Sequence, residues 1–198
     1  MHQAHYDMRA GDKPIGEARI AVSVVGGKRV IVGQEVAEFA GRSETTYRIG
    51  PDAVMLASNS QFAKFELAGK LTGGKLVATG TGQGGKPLSL SEPLSPGAFL
   101  SGPGGIGSSI ALAEHLGGIA PGGKRKFVAL GLASFPAPAI ETIHYDVERK
   151  PDAGGHRVFA VTASQPAFTV SGDLVLDTAG FVVSQTAGPP MNLTFTRR

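Results

Sequence analysis

The chain has 198 residues, with 29 glycines, 13 prolines and no cysteine, so disulfides, thiolate metal sites and cysteine nucleophiles are excluded. Hydrophobic residues make up 41% and charged residues 18%, which is too apolar for a disordered chain, while the glycines and prolines are too frequent for a helical bundle. The net charge of +3 is small and no basic stripe with interleaved aromatics is present, so we expect no nucleic-acid partner.

The hydropathy of the chain predicts no membrane span. No run reaches the roughly 18 consecutive apolar residues that a membrane helix needs. Residues 1–5 lack the apolar core of a signal peptide. Two interpretations remain: a cytoplasmic protein, or a chain whose numbering begins after a removed signal peptide.

Alternation of apolar and polar residues recurs along the whole chain and predicts β-strands with one buried face. Ile20, Val22 and Val24 share one face of such a run, and Leu193 and Phe195 share another near the end. The predicted strands cover residues 4–10, 15–25, 28–39, 44–49, 53–60, 62–72, 75–81, 87–91, 125–133, 139–149, 156–164, 167–177, 180–186 and 192–197. Because some of these runs could merge, we expect about ten to twelve strands in an all-β, mostly antiparallel β-roll or half-barrel, with residues 1–198 forming a single domain.

Adjacent glycines separate several of these runs. Four pairs each precede a strand-like run: residues 26–27, 73–74, 122–123 and 154–155. Paired glycines supply the positive φ angles of tight hairpin turns, so we expect antiparallel hairpins at these positions.

One segment departs from the strand pattern, a Gly- and Pro-rich insertion at about residues 93–123. Within it Ile106, Ile110 and Leu116 recur at helical spacing, which predicts a short helix over about residues 106–117. Such a helix either plugs the interior, because its apolar face must be buried, or covers a ligand cavity as a lid. As a lid, it would contact the ligand through these three side chains and hinge at the surrounding glycines.

Two glycine motifs resemble phosphate-binding loops, but their surroundings argue against that function. Residues 102–107 match G-x-G-x-x-G, yet no βαβ unit is predicted there, and basic residues stand about 20 positions on, where an acid should bind a ribose. Residues 80–86 nearly complete a P-loop, yet Pro87 replaces the Ser or Thr that binds magnesium and a strand follows. We therefore expect a flexible helix entry and a hairpin loop, and no nucleotide cofactor.

The polar residues show no recognisable catalytic or metal-binding pattern. The five histidines lack H-E-x-x-H spacing, and no serine lies in a G-x-S-x-G context. We expect no metal site, no cofactor and no enzymatic activity.

Two stretches carry a resemblance to a protein family. Residues 6–22 contain a tyrosine-led strand, a short turn and an I/V-G-x-A strand, and residues 172–183 read G-x-L-x-L-D-x-x-G-F-V-V. Both stretches resemble an uncharacterised family of exported bacterial β-rich proteins, similar in shape to lipoprotein-carrier and lipoprotein-insertase half-barrels. The resemblance implies a location in the periplasm or cell envelope, a removed signal peptide and an apolar ligand. It implies no catalytic residue.

The leading hypothesis is a non-enzymatic envelope protein that binds an apolar ligand, a lipid or glycolipid, in a β half-barrel. Six apolar side chains are the candidates for lining its cavity: Phe62, Phe65, Phe127, Phe159, Phe168 and Leu176. The same side chains could instead fill a closed core, since apolar residues mostly pack against each other.

The second hypothesis is a structural or assembly subunit that docks onto a larger envelope complex through β edges and loops. The last strand-like segment, residues 192–198, has no obvious partner strand, and exposed strand edges can bind an added strand. A deep apolar cavity of several hundred Å³ would favour the ligand. A solid core with a flat apolar surface patch would favour the envelope protein partner.

Overall fold

The computed structural model describes residues 1–38, 41–60, 64–103, 105–133, 138–166 and 168–198. These residues form fifteen β-strands, one α-helix and a 3-10 turn at Gln83–Gly85. The first eight strands are β1 (His2–Ala10), β2 (Lys13–Val25), β3 (Lys28–Ala37), β4 (Ser43–Ile49), β5 (Ala53–Ser60), β6 (Lys64–Thr72), β7 (Lys75–Thr81) and β8 (Pro87–Pro93). After them come β9 (Phe99–Ser101), helix α1 (Ile106–Ala113), β10 (Lys124–Ala133), β11 (Ala139–Arg149), β12 (Arg157–Ser164), β13 (Thr169–Leu176), β14 (Val182–Ala187) and β15 (Leu193–Arg197).

The described strands belong to one open sheet, in the order β8-β7-β6-β5-β4-β3-β2-β1-β15-β14-β13-β12-β11-β10-β9. Neighbouring strands pair antiparallel, except that the short β9 pairs parallel with β10. The predicted all-β, mostly antiparallel half-barrel or roll with one short helix is therefore confirmed.

The last strand lies inside the sheet, so its predicted role as an unpaired edge is wrong. β15 pairs with β1 on one side, where Phe195 stands opposite Met8, and with β14 on the other, where it stands opposite Gln185. The sheet ends instead at β8, which begins and ends with proline, and at β9, which has three residues. Proline and short length both oppose the addition of a further strand.

The strands stay separate, so the expected merging of runs is also wrong. Turns at the glycine pairs 26–27, 73–74 and 154–155 have φ angles between 58° and 77°, and each joins two antiparallel strands. The fourth pair differs from its predicted role. Residues 122–123 lead from the helical segment into β10 and form no hairpin. The three residues of β9 are too few to show a recognisable alternation.

The sheet curls until its two halves meet. β5 contacts β9 and β10, and β8 contacts β11. The inner face carries one continuous apolar core, which includes Tyr6, Leu56, Leu67, Phe159 and Phe195. Because successive side chains of a strand point to opposite faces, the polar positions between them face solvent.

Helix α1 lies inside the curled sheet and contacts β3, β9 and β14. Six of its residues are buried: Ile106, Gly107, Ser108, Ile110, Ala111 and Leu112. Burial on most of the circumference is the arrangement of a plug. The helix ends at Ala113 rather than at residue 117, because the next backbone N–H groups donate to carbonyls three residues earlier and a turn replaces it. No described helix is long and apolar enough to cross a membrane.

Candidate ligand-binding site

A cavity of about 100 Å³ lies between helix α1 and the inner face of β11–β15. Its helix wall includes Ser108, Ser109 and Leu112. Its sheet wall consists mainly of inward-facing residues: Ile143, Tyr145, Val161, Ala163, Val170, Leu174, Ala187, Leu193 and Phe195. Alanines on the sheet and serines on the helix leave space that larger side chains would fill. The cavity is smaller than the several hundred Å³ expected for an enclosed lipid.

Two large apolar side chains border the mouth of this cavity. Phe168 lies just before β13 and is 39% exposed, and Met191 lies shortly before β15 and is 40% exposed. Both line the cavity. An exposed aromatic ring and a flexible thioether beside an apolar cavity are typical of a surface that contacts an apolar ligand.

Two glutamines contribute polar atoms to the same cavity. The Oε1 atoms of Gln165 and Gln185 are buried and have no hydrogen-bond partner among the described residues. Gln185 faces inward because it stands opposite Leu174 and Phe195 in the sheet register, and both of those side chains are almost fully buried. The site therefore combines apolar walls with two unpaired acceptor oxygens.

The cavity wall carries little charge. Among the described residues that line it there is no Lys, Arg or His. The acidic residue of the lining, Asp173, turns its side chain to the outer face of the sheet opposite Ala160, where its Oδ1 atom lies 2.8 Å from Nζ of Lys150. Burial raises the pKa of Tyr145 to about 12, so its phenol stays neutral at physiological pH. An anionic ligand group would find no positive partner in this wall.

An inward-facing carboxylate anchors the N-terminus of α1. Glu35 on β3 stands opposite Ala18, which is fully buried. Its carboxylate accepts hydrogen bonds from the Tyr47 hydroxyl, at 3.0 Å, and from the backbone N–H groups of Ile106 and Gly107. Burial raises the pKa of Glu35 to about 7, although each of these hydrogen bonds acts to lower it.

The tyrosine of this arrangement lies between two glycines. Tyr47 on β4 is 3% exposed. A Cβ atom on Gly33 of β3 would lie 2.2 Å from Cζ of the ring, and one on Gly107 of α1 would lie 2.4 Å from the same atom. The close packing of strand, ring and helix therefore requires the absence of a side chain at both positions.

Ser108 connects the start of the helix to the loop before it. Its Oγ donates to the carbonyl oxygens of Pro103, at 2.7 Å, and Gly102, at 3.0 Å. This hydroxyl is satisfied within the protein, in contrast to the two glutamine oxygens at the cavity.

The structure corrects the expectation that no βαβ unit surrounds the G-x-G-x-x-G segment. β9 precedes it, α1 follows it, and β10 lies parallel to β9. A phosphate would bind the free N–H groups at the start of such a helix. In this chain the carboxyl group of Glu35 accepts from two of those N–H groups, so an acidic side chain of the protein already occupies that position.

The segment that resembles a P-loop is a hairpin connection, as predicted. Residues 80–86 lead from β7 through the 3-10 turn into β8. Their amides are used locally, since the Gly82 N–H donates to the Lys86 carbonyl at 2.8 Å and the Gly85 N–H donates to the Gly82 carbonyl at 3.0 Å.

The five predicted cavity residues that the structure describes do not surround one site. Phe168 lines the cavity, whereas Phe159 and Leu176 lie in the core and are 0% and 1% exposed. Phe65 is also part of the buried core. Phe65, Phe159 and Leu176 therefore lie in a closed core, which is the alternative interpretation of these side chains. Ligand contact by Phe168 stays a prediction.

The other predicted contacts that the structure describes lie in or against the core. Phe127 is partly buried against the core, and Phe62 lies outside the described residues. The predicted lid contacts Ile106, Ile110 and Leu116 are 0%, 8% and 1% exposed. They face the core rather than an open mouth.

Sequence reasoning does not find Glu35, Gln185 or Met191. The signal available for the first two is a polar residue at an inward position of an alternating strand, such as Glu35 two positions after Gly33 and four after Ile31. Met191 lies in a loop, where alternation gives no information.

A wider groove of about 670 Å³ lies over the outward-facing residues of β1–β6. It includes Val32 and Met55, which are 43% and 44% exposed, together with Arg19 and Arg48. This groove is open to solvent, whereas the cavity beside α1 is bounded by helix and sheet. Enclosure removes an apolar ligand from water, so the smaller cavity is the better candidate.

Comparisons of the chain with protein families, curated proteins and solved structures found no match. Within the described part of the chain, no three His, Asp or Glu side chains are grouped so that they could hold a metal ion. The geometry of the cavity is therefore the main evidence on function.

Proposed function

We propose that the protein is a non-enzymatic binding protein of the bacterial envelope that holds the apolar part of a lipid or glycolipid in the cavity between α1 and β11–β15. The observation that carries this proposal is an apolar cavity whose mouth exposes Phe168 and Met191. The location in the envelope is supported by the resemblance of residues 6–22 and 172–183 to exported bacterial proteins.

The size of the cavity limits how much of a ligand it can enclose. An apolar protein cavity of about 150 Å³ accommodates benzene. At about 100 Å³, this cavity is smaller and encloses part of a ring or the end of an acyl chain. The rest of a larger ligand would lie at the mouth, against Phe168 and Met191.

The proposal is tested by the binding of a small apolar probe to the full chain. Fluorobenzene, followed by ¹⁹F NMR, should bind saturably to the wild-type protein. Ala163→Leu places a larger side chain in the cavity and should weaken binding at least about tenfold. Ala160→Leu is the matched control on the same strand. Ala160 faces outward opposite Glu148 and Asp173, so this variant should bind as the wild type does.

Thermal unfolding of both variants shows whether the fold is retained. Absence of saturable binding to the wild type, or equal binding by a folded Ala163→Leu variant, would overturn the proposal. Native mass spectrometry of protein purified from its own host would then identify any retained ligand.

A further inference from the structure

The two glutamine oxygens at the cavity are unusual for a folded protein. Buried acceptors in native structures nearly always have a hydrogen-bond partner. The Oε1 atoms of Gln165 and Gln185 have none among the described residues, although both side chains line a cavity with room for another molecule.

The position of Gln185 strengthens this observation. It occupies an inward site of β14 between Leu174 and Phe195, where an apolar side chain would pack against both. Gln165 comes directly after β12, at the start of the β12–β13 connection, and its Oε1 atom is buried as well. An amide oxygen can only accept, so each oxygen requires a donor.

We propose that the ligand carries hydrogen-bond donors, hydroxyl or N–H groups, next to its apolar part, and that these groups donate to the Oε1 atoms of Gln165 and Gln185. This inference rests on the proposed function and specifies the ligand class. A hydroxyl-bearing amphiphile, of which a glycolipid is one kind, fits the site. A carboxylate or phosphate headgroup does not, because the described lining residues include no Lys, Arg or His that could pair with it.

The test compares three ring-sized probes on the full chain: phenol, which has a donor, fluorobenzene, which has none, and benzoate, which is anionic. Phenol should bind the wild type at least about tenfold more tightly than fluorobenzene, because a donor-bearing ligand satisfies acceptors that an apolar one leaves unpaired. Benzoate should bind more weakly than either.

Two variants assign that preference to the glutamines. Gln185→Leu and, separately, Gln165→Leu should reduce the preference for phenol and retain fluorobenzene binding. Gln34→Leu is the matched control, since Gln34 is exposed on β3 and away from the cavity. Thermal unfolding verifies that each variant folds. If one of the two glutamine variants does not fold, the other variant alone provides the test.

The outcomes separate the inference from the function on which it rests. Equal binding of phenol and fluorobenzene, both abolished by Ala163→Leu, would overturn the donor inference and leave the apolar cavity in place. Unchanged phenol preference in both glutamine variants would also overturn it. Failure of every probe to bind would overturn the proposed function itself.

Discussion

The carboxyl group of Glu35 makes the stability of this fold depend on pH in an unusual direction. Its pKa is raised from 4.5 to about 7 in the folded protein, mainly because burial disfavours the ionised form. Between these two pH values the carboxyl group of Glu35 therefore keeps its proton in the folded protein, whereas it has lost the proton in the unfolded chain. The contribution of this group to the free energy of unfolding is fully present below pH 4.5, declines as the pH rises to about 7, and is lost above that pH.

The size of the effect follows from the pKa shift. A shift of one pKa unit corresponds to about 1.4 kcal/mol, so the shift of Glu35 corresponds to about 3 kcal/mol of unfolding free energy between the two ends of this range. Glu35→Gln removes the titration and keeps an oxygen that can accept from the helix N-terminus. The free energy of unfolding of the variant, minus that of the wild type, should therefore rise by about 3 kcal/mol from pH 4.5 to pH 8.

Urea denaturation at four pH values between 4.5 and 8 measures this difference, with Glu66→Gln as a control at an exposed position of β6. The comparison of slopes cancels any pH-independent cost of the amide. If the wild-type and Glu35→Gln curves run parallel over this range, the carboxyl of Glu35 does not titrate as described and the reasoning is refuted.

Two further pairs of substitutions test the packing around the helix. Ile110→Asp would bury an unpaired charge beside β14 and should lower the free energy of unfolding by at least about 3 kcal/mol, whereas Ile110→Val should lower it by about 1 kcal/mol. If thermal unfolding shows only a small loss of stability for Ile110→Asp, the result would instead favour the lid. Gly33→Ala should destabilise by about 1–3 kcal/mol because its Cβ would displace the buried ring of Tyr47, while Gly117→Ala, which meets no atom within 4 Å, should have little effect. Equal effects of the two glycine substitutions in urea denaturation would contradict the role of Gly33.

The fold was largely predictable because it is built from local patterns. Alternation and glycine turns are properties of short segments, and they place fourteen of the strands within a few residues of their observed bounds. The exceptions depend on distant partners. β9 is a strand only because β10 lies beside it. β15 is an inner strand only because the end of the chain returns to pair with β1.

The candidate site was less predictable for the same reason. The apolar faces of Phe159 and Leu176 were correctly oriented inward, but alternation cannot distinguish a side chain that fills the core from one that lines a cavity. That distinction depends on how β11–β15 pack against α1. Gln185 is an example. Its inward position can be predicted from the alternation of β14, but the absence of a hydrogen-bond partner for its Oε1 atom among the described residues cannot.

The same contacts decide how a ligand would enter. Swinging α1 away as a lid would expose Ile106, Leu112 and Leu116, each almost fully buried, at a cost of more than about 4 kcal/mol in total. It would also break the hydrogen bonds from the helix N-terminus to Glu35. An opening that costs this much is populated by fewer than about one molecule in a thousand. The mouth at Phe168 requires no such opening, because that side chain already faces solvent, so we expect ligand entry past Phe168 with the helix in place.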